Sequence, residues 1–406
     1  MDKVVEHVEN DRNMYLQTLA NRTAQLAITN IAASVALSAK LSIIQRYFYG
    51  PQQTLHWHVW FGRLGLLQAL YHATYQLQFN YERQGSVIGT VTTNIRHITG
   101  TLMLTAMMVL LFGSHPVVRL LSYRLFRWTH ISSFFVLVVF GCLHHWSFYL
   151  FYVTVLVFWV TDQIDRSYST KSCKVESLPG EIVKLTCHVP YHCDQILPGQ
   201  FIFISFGSTS WIKAWFHSHP FSICRMDGDR FVFYVKAIGN DTRYLYQLEG
   251  DTIQARISRP LGRGFEFEDY ESVVLVAEGM GITPWISVLD HLQHATARTR
   301  RVHVIWSVRS IDTFYAFEKE FKEMSDIELR MQLYITGLID PEEDVHVPDH
   351  IQVGHRPQYQ EILTEIQQED KHNIAMGICT HEESMVKVKN IGLFYSWEVK
   401  TERFEL

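Results

Sequence analysis

A basic excess is the first thing missing from this chain of 406 residues: Lys and Arg number 36 against 41 Asp and Glu, and the net charge is −5 with no basic stripe. A surface that neutralises phosphates needs clustered Lys and Arg, so nucleic acid is excluded as a partner. Cysteine is sparse as well. The six cysteines, Cys142, Cys173, Cys187, Cys193, Cys224 and Cys379, show no disulfide framework, which suits a reducing, cytosolic setting for the C-terminal half. The opening MDKVVEHVENDRNMYLQ is too polar for a cleaved signal peptide. Membrane insertion must then come from internal helices.

Long apolar runs crowd residues 23–161, whereas the remainder reads as a soluble protein of alternating strands. Five spans are expected at 23–45 (with Asn30 and Lys40 inside), 58–79, 98–113, 130–145 and 148–162. The apolar tract 131–161 exceeds the roughly 20 residues of one span, so a break is placed at His145-Trp146-Ser147. Arg46, the cluster Arg119, Arg124 and Arg127, and Arg166, Lys171 and Lys174 all fall on one side, which the positive-inside rule makes cytoplasmic, although Arg83 and Arg96 lie opposite. That side also carries the soluble C-terminal half.

Two stretches within the apolar half share a pattern. HVWFGRLGLLQALYH (58–72) and HISSFFVLVVFGCLH (130–144) each open and close on histidine, fourteen positions apart. On an α-helix fourteen residues turn through about 1,400°, within about 40° of four turns, and rise about 21 Å. Both histidines of a pair therefore face one way at two depths. The two helices run in the same direction in this layout, so His58 and His130 share one depth near the cytoplasmic face, and His72 and His144 share the other. Haem iron accepts two axial imidazoles, so these four are candidate ligands for two stacked haems. Histidines that only hydrogen-bond neighbouring helices are the plainer alternative. His145 competes with His144, although it lies about 60° off the face of His130 rather than about 40°. His56, His97 and His115 fit neither pair and are assigned to the interfaces. Arg63, costly in lipid, needs an anion such as a haem propionate, or else snorkels or caps.

After the last span come strand-like runs at EIVKLTCHV (181–189), QFIFISF (200–206), RFVFYVKAI (230–238) and DTIQARIS (251–258), which suggest a small antiparallel barrel. SVVLVAEG (272–279), a tight GMGITP turn (279–284), the helical WISVLDHLQHA, a second strand RVHVIWSVR (301–309) and helical IDTFYAFEKEFKEM follow. That βαβα order is a doubly wound nucleotide fold. CHVPYHC (187–193) tempts a zinc reading, but strand alternation points its side chains different ways.

The paired histidine spacings with Gly62-Arg63 inside the first, PGQ at 198–200, HPFS at 219–222, GMGITP at 279–284 and the late aromatic Phe404, in that order, resemble the ferric reductase and NADPH oxidase superfamily. The resemblance covers roughly residues 20–406. It implies an α-helical haem-binding membrane bundle followed by a ferredoxin-reductase-like module, an antiparallel β-barrel FAD domain plus an α/β doubly wound NADPH domain. By this resemblance His219, Pro220, Phe221 and Ser222 line the flavin, with the Ser222 hydroxyl toward the isoalloxazine edge. Lys236, Gly239 and Thr242 match its second FAD segment. Gly279 and Gly281 let backbone approach the nicotinamide nucleotide, with Thr283 beside it. Arg309 is placed for a 2′-phosphate, favouring NADPH over NADH. Phe404 covers the flavin face until nicotinamide displaces it.

The chain departs from the family pattern in three places. The family commonly begins with one further N-terminal transmembrane helix, which is not expected here, so five spans and an N-terminus outside the cytosol are expected. The usual Gly-Gly is Glu278-Gly279, and the late Cys-Gly-Pro survives only as Cys379-Thr380-His381. The loops on the far side are short, and no dedicated substrate-binding domain is visible.

The expected organisation is a polar segment 1–19, a transmembrane haem domain 20–165, an FAD barrel 166–268 and an NADPH domain 269–406. The expected function is an integral membrane oxidoreductase of the plasma membrane or endoplasmic reticulum, lipid-embedded, with its C-terminal domain cytoplasmic. Electrons would pass from NADPH through FAD and two haem b groups to ferric iron across the membrane. The alternatives are reduction of dioxygen to superoxide, and a degenerate haem-binding partner or regulatory subunit. Neither the oligomeric state nor the choice among iron, copper and dioxygen is encoded in these motifs.

Overall fold

The computed structural model describes residues 2–38, 51–166, 169–188, 196–206, 218–294, 297–322, 327–337, 351–370 and 373–403. Two compact units divide at Asp165 and Arg166.

The first unit is helical: α1 (Asp2–Ser38), α2 (Pro51–Gln84), a short α3 (Val87–Thr92), α4 (Ile95–Gly113), a short α5 (Pro116–Leu121), α6 (Tyr123–His144) and α7 (Ser147–Arg166). α1 absorbs the polar segment expected to precede the first span, because no Gly or Pro interrupts residues 2–38. α2 runs on to Gln84 and stops at Gly85, whose φ of +64° suits a helix C-terminus. Asn94 and Ser122 cap α4 and α6 by accepting the His97 and Leu125 amides at 3.0 and 3.2 Å. The long apolar tract divides where expected, since His145 is extended (φ −154°, ψ 141°) between α6 and α7.

α4 and α6 are long and apolar enough by themselves to cross a membrane, and Ser147–Asp162 is a shorter apolar helix. α1 and α2 are more polar, and they satisfy part of that polarity mutually through Asn30 Nδ2 to Gln68 Oε1 at 2.8 Å. They pack closely because α2 presents Gly65: a Cβ there would lie 2.8 Å from Ile31 Cγ1. Among the described residues of this unit, Met103, Ala106, Leu137 and Phe148 form a small buried apolar cluster. Large apolar side chains such as Leu67, Phe112 and Leu150 face outward, 66%, 65% and 63% exposed, an inside-out distribution that water would penalise and lipid would not.

The second unit opens with an antiparallel sheet of β1 (Ser169–Leu178), β2 (Ile182–His188), β3 (Phe201–Phe206), β4 (His219–Ser222), β5 (Arg225–Asp227), β6 (Arg230–Lys236) and β7 (Thr252–Ile257), in spatial order β4-β3-β7-β1-β2-β6-β5. The Cys224 amide donates to the Val232 carbonyl at 3.0 Å just after β4, so the two edges curl together around Val183, Leu185, Ile204, Phe231 and Phe233. Burying each such side chain contributes about 1.5–3 kcal/mol. α8 (Asn240–Gln247) covers one end of this barrel.

The expectation for cysteine needs correction here. Cys173 and Cys187 stand directly opposite on β1 and β2 and are disulfide-bonded. The pairing was invisible without β1, whose polar STKSCKVESL does not read as a strand until Cys173 and Val175 are seen to point inward. The cluster 187–193 lies largely outside the described residues.

A parallel sheet follows, built from β8 (Ser272–Glu278), β9 (Arg301–Val308), β10 (Glu328–Ile335), β11 (Ile351–Val353), β12 (Ile374–Cys379) and β13 (Glu398–Thr401), in order β11-β10-β9-β8-β12-β13. Helices α9 (Thr283–His294), α10 (Ile311–Lys322), α11 (Tyr359–Glu369) and α12 (Glu382–Phe394) cover its two faces. β8 shows why its run is continuously apolar: Val273, Leu275 and Ala277 join one core with Trp285 and Phe317, while Val274 and Val276 join the other with Leu363 and Val388.

Candidate functional site

In the helical unit, all four matched histidines are braced through Nδ1 by a second helix or its cap. His58 Nδ1 lies 2.8 Å from the Ser34 carbonyl and His72 Nδ1 lies 2.8 Å from the Ala20 carbonyl, both on α1. His130 Nδ1 lies 3.0 Å from the Ser114 hydroxyl, and His144 Nδ1 lies 3.0 Å from the Thr99 hydroxyl. A carbonyl only accepts, so Nδ1 of His58 and His72 carries the proton. The Thr99 hydroxyl already donates to the Ile95 carbonyl at 2.8 Å, so it accepts from His144 too. In His58, His72 and His144 the ring nitrogen left with a free lone pair is then Nε2, the arrangement that orients a metal-ligating imidazole.

The ring centroids of His58 and His130 are 6.1 Å apart. An imidazole nitrogen sits about 2.0–2.1 Å from a metal and about 1.1 Å from its own ring centre, so two imidazoles flanking one metal have centroids about 6.3 Å apart. The observed spacing fits an iron between them. His72 lies near enough to His144 for the two to interact electrostatically. Gly100 makes room for this second pair, since a Cβ there would stand 3.0 Å from His144 Cε1. His145 is exposed and accepts the Ser147 amide at 3.2 Å, which places it at the start of α7. Arg63 is exposed and stacks over Trp60 at 5.7 Å.

In the second unit the two segments expected to line the flavin come together. β4 consists of His219, Pro220, Phe221 and Ser222; Ser222 is buried, Phe221 packs 5.9 Å from Phe206, and His219 Nε2 stands 3.9 Å from Asp241 on α8. Gly239 starts α8, and the Thr242 hydroxyl accepts its amide at 3.0 Å. Among the described residues, only Thr242 Oγ1, at 3.9 Å, lies within 4 Å of where a Gly239 Cβ would be. The Lys236 ammonium donates to the Gly180 carbonyl.

The candidate nucleotide residues collect at the carboxyl ends of the parallel strands. Chain order leaves β8 outward through β9 and β10, then returns to β12 on the other side, so β8 and β12 flank the topological switch point where this fold binds ligands. Gly279 turns there with φ +55°. Gly281 is required for another reason than access: a Cβ would fall 2.2 Å from the Cys379 carbonyl, so the turn packs on the end of β12. Thr283 is buried and donates to the Met280 carbonyl at 2.9 Å. Arg309 is exposed at the end of β9, with the Gly337 amide bonded to its carbonyl at 3.1 Å. Phe404 lies outside the described residues.

Two carboxylates flank this crevice. Glu278 accepts from the Tyr359 hydroxyl at 3.2 Å and from the His381 amide at 2.9 Å. Glu402, which follows β13, has its carboxyl pKa pushed up to about 8 by burial. Burial, with Glu402 and Glu278 nearby, pushes the Cys379 thiol well up, so it stays protonated. Sequence reasoning missed Glu402 and the bracing groups on α1 and α4. Its only available signal was Cys379, and nothing local announces a carboxylate so much later in the chain.

A further cluster joins barrel and nucleotide domain. Glu320 of α10 is buried, accepts the Tyr234 hydroxyl, and faces Lys184 and Arg225 at 3.8 and 3.4 Å.

Comparison with known proteins agrees in order along the chain. A family model described as "Ferric reductase like transmembrane component" matches residues 23–142, an "FAD-binding domain" matches 167–279, and a "Ferric reductase NAD binding domain" matches 270–392. The chain is similar to "Ferric/cupric reductase transmembrane component 2" of Saccharomyces cerevisiae, 23% identical, covering 78% of this chain and 46% of that protein. It is similar to a superoxide-generating NADPH oxidase heavy chain of Dictyostelium discoideum, 23% identical, covering 68% and 47%. "Ferric reduction oxidase 7, chloroplastic" of Arabidopsis thaliana is 25% identical, covering 75% and 45%. The chain thus spans about half the length of the curated relatives it matches. Among solved structures, a ferredoxin NADP+ reductase from Neisseria gonorrhoeae aligns with a TM-score of 0.43 at 16% identity, covering 58% of this chain and 98% of that one. With a transmembrane component, an FAD-binding domain and an NAD-binding domain following one another in this order, the chain belongs to the ferric reductase and NADPH oxidase superfamily.

Proposed function

We propose that this protein is a membrane flavocytochrome that carries electrons from cytosolic NADPH across the bilayer to ferric iron. The observation that carries the reading is the set of four Nδ1-braced histidines, two of them with ring centroids 6.1 Å apart. His58 with His130 would hold one haem b, and His72 with His144 the other. Bound at their sites, FAD would divide a hydride into single electrons and the haems would relay them one at a time.

The chain's own residues supply position and proton control. Ser34, Ala20, Ser114 and Thr99 hold the imidazoles against rotation, which keeps Nε2 directed between helices. His219 to Ser222 and the start of α8 form the flavin bed. Gly279, Gly281 and Thr283 shape the nucleotide turn, and Arg309 supplies a cation for a 2′-phosphate. Desolvation keeps the Cys379 thiol protonated and raises the Glu402 carboxyl to about 8, so both groups at this strand end are neutral below about pH 8.

A second reading, reduction of dioxygen to superoxide, is favoured by the similarity to an oxidase heavy chain. The two separate by one experiment. NADPH is supplied to haem-loaded protein in liposomes, and Fe(II) capture is followed with and without oxygen and superoxide dismutase. Ferrous product that persists anaerobically supports direct metalloreduction. Product that requires oxygen and vanishes with dismutase makes the protein an oxidase. Absence of any nucleotide-driven haem reduction would leave a haem-binding partner protein instead.

A further inference from the structure

The switch-point crevice between β8 and β12 is not a neutral cleft. Glu278, the last residue of β8, reaches across it: one carboxylate oxygen takes the Tyr359 hydroxyl from α11 and the other takes the His381 amide at the start of α12. An uncapped helix start with glycine backbone is what a nucleotide phosphate uses in folds of this kind. Here that end of α12 is already served. His381 provides no side-chain cap, its amide is bonded to Glu278, and Glu382 and Glu383 add two carboxylates in the first turn. Glu382 faces Arg403 at 3.3 Å and Glu383 faces Lys387 at 2.7 Å, so the carboxylate that bonds the start of α12 directly is Glu278.

The backbone conformation at this position does not itself demand a carboxylate. The residue before the turn needs only extended backbone, φ −124° and ψ 127°, and Gly279 beside it carries the positive φ. Burial and the Glu278 charge both push the Tyr359 phenol up, so the tyrosine remains a donor to the carboxylate across the working range.

We infer that Glu278 is an affinity-setting residue of the nucleotide site: its carboxylate occupies an anion position at the crevice, bridges β8 to α11 and α12, and must be displaced or outcompeted by a dinucleotide phosphate. This rests on the nucleotide reading proposed above. The consequence is weak resting occupancy by any polyanionic dinucleotide, with Arg309 at the end of β9 as the opposing attraction. Removing the charge leaves the shape of the turn intact and lifts the repulsion, an effect of about five- to tenfold for one unit charge several ångströms away in a partly screened site.

The test is calorimetric titration of NADPH into the full, FAD-loaded chain in detergent, for wild type, Glu278→Gln, Glu278→Gly and the remote control Asp229→Asn. Glu278→Gln keeps an acceptor for the His381 amide and should bind about fivefold tighter. Glu278→Gly removes the bridge as well and should bind about tenfold tighter, with the control unchanged. FAD content and melting temperature report folding, and if the glycine variant does not fold, the isosteric glutamine variant decides. Wild type and Glu278→Gln binding within twofold of each other overturns the role of Glu278 and leaves the nucleotide site standing. No binding by any of the four overturns both.

Discussion

Thr99 and His144 are locked in one direction: the threonine hydroxyl donates to the Ile95 carbonyl at 2.8 Å and accepts from His144 Nδ1 at 3.0 Å. Thr99→Val keeps the shape and removes the acceptor. Haem affinity at the His72/His144 site should fall about ten- to a hundredfold while the other site is unchanged, read as haem content per chain and a split in the low-spin optical spectrum. Equal haem content at both sites in this variant would remove the bracing role.

The ligand assignment itself predicts an asymmetry. His72→Leu or His144→Leu should lose one haem and keep the other, whereas His58→Leu or His130→Leu should interrupt reduction by NADPH altogether. Two low-spin haems per chain in all four purified variants would refute the set.

Arg309 stands exposed at the end of β9, where its side chain can turn toward a 2′-phosphate. Charge-assisted hydrogen bonds contribute about 1.5–3 kcal/mol, so Arg309→Ala should weaken NADPH use at least about tenfold and spare NADH. The check is kcat/KM for both nucleotides with one electron acceptor; an unchanged ratio sinks the role.

Glu402 predicts a pH dependence with a definite sign. Its folded pKa, about 8, is raised above the ordinary glutamate value of 4.5, so the folded state holds the proton more tightly than the unfolded chain does. Its contribution to stability is complete below about pH 4.5 and is lost as pH rises through about 8. Wild type should therefore lose about 5 °C of melting temperature between about pH 6 and pH 9, and Glu402→Gln should lose much less. Parallel curves would show that the carboxyl is not held neutral.

Gly281 should tolerate no side chain, because a Cβ would meet the backbone carbonyl of Cys379 at 2.2 Å, not a movable side-chain tip. Gly281→Ala should cost about 1–3 kcal/mol and disturb the crevice, measured as a lower urea midpoint and weakened NADPH binding. Full stability would mean that the turn is free to shift.

The sequence alone determined the two-part organisation, the doubly wound order after residue 272, the break between His144 and Ser147, and the family, because each of these is written in local periodicity or in contiguous motifs. SVVLVAEG could only be a buried strand, and HPFS and GMGITP are read without folding the chain. Tertiary structure decided what depends on register between distant segments. Ser34 meets His58 only because α1 lies against α2 in one particular slide, and Cys173 meets Cys187 only because β1, polar in composition, pairs with β2 at that residue. The same holds for the carboxylates of the crevice. Glu278 reads as a lost glycine and Glu402 as a surface residue near the terminus, until the parallel order β8-β12-β13 draws both to one strand end and burial raises the pKa of one. Side-chain chemistry is encoded residue by residue, but burial and partner choice are set by the packing of elements far apart in the chain.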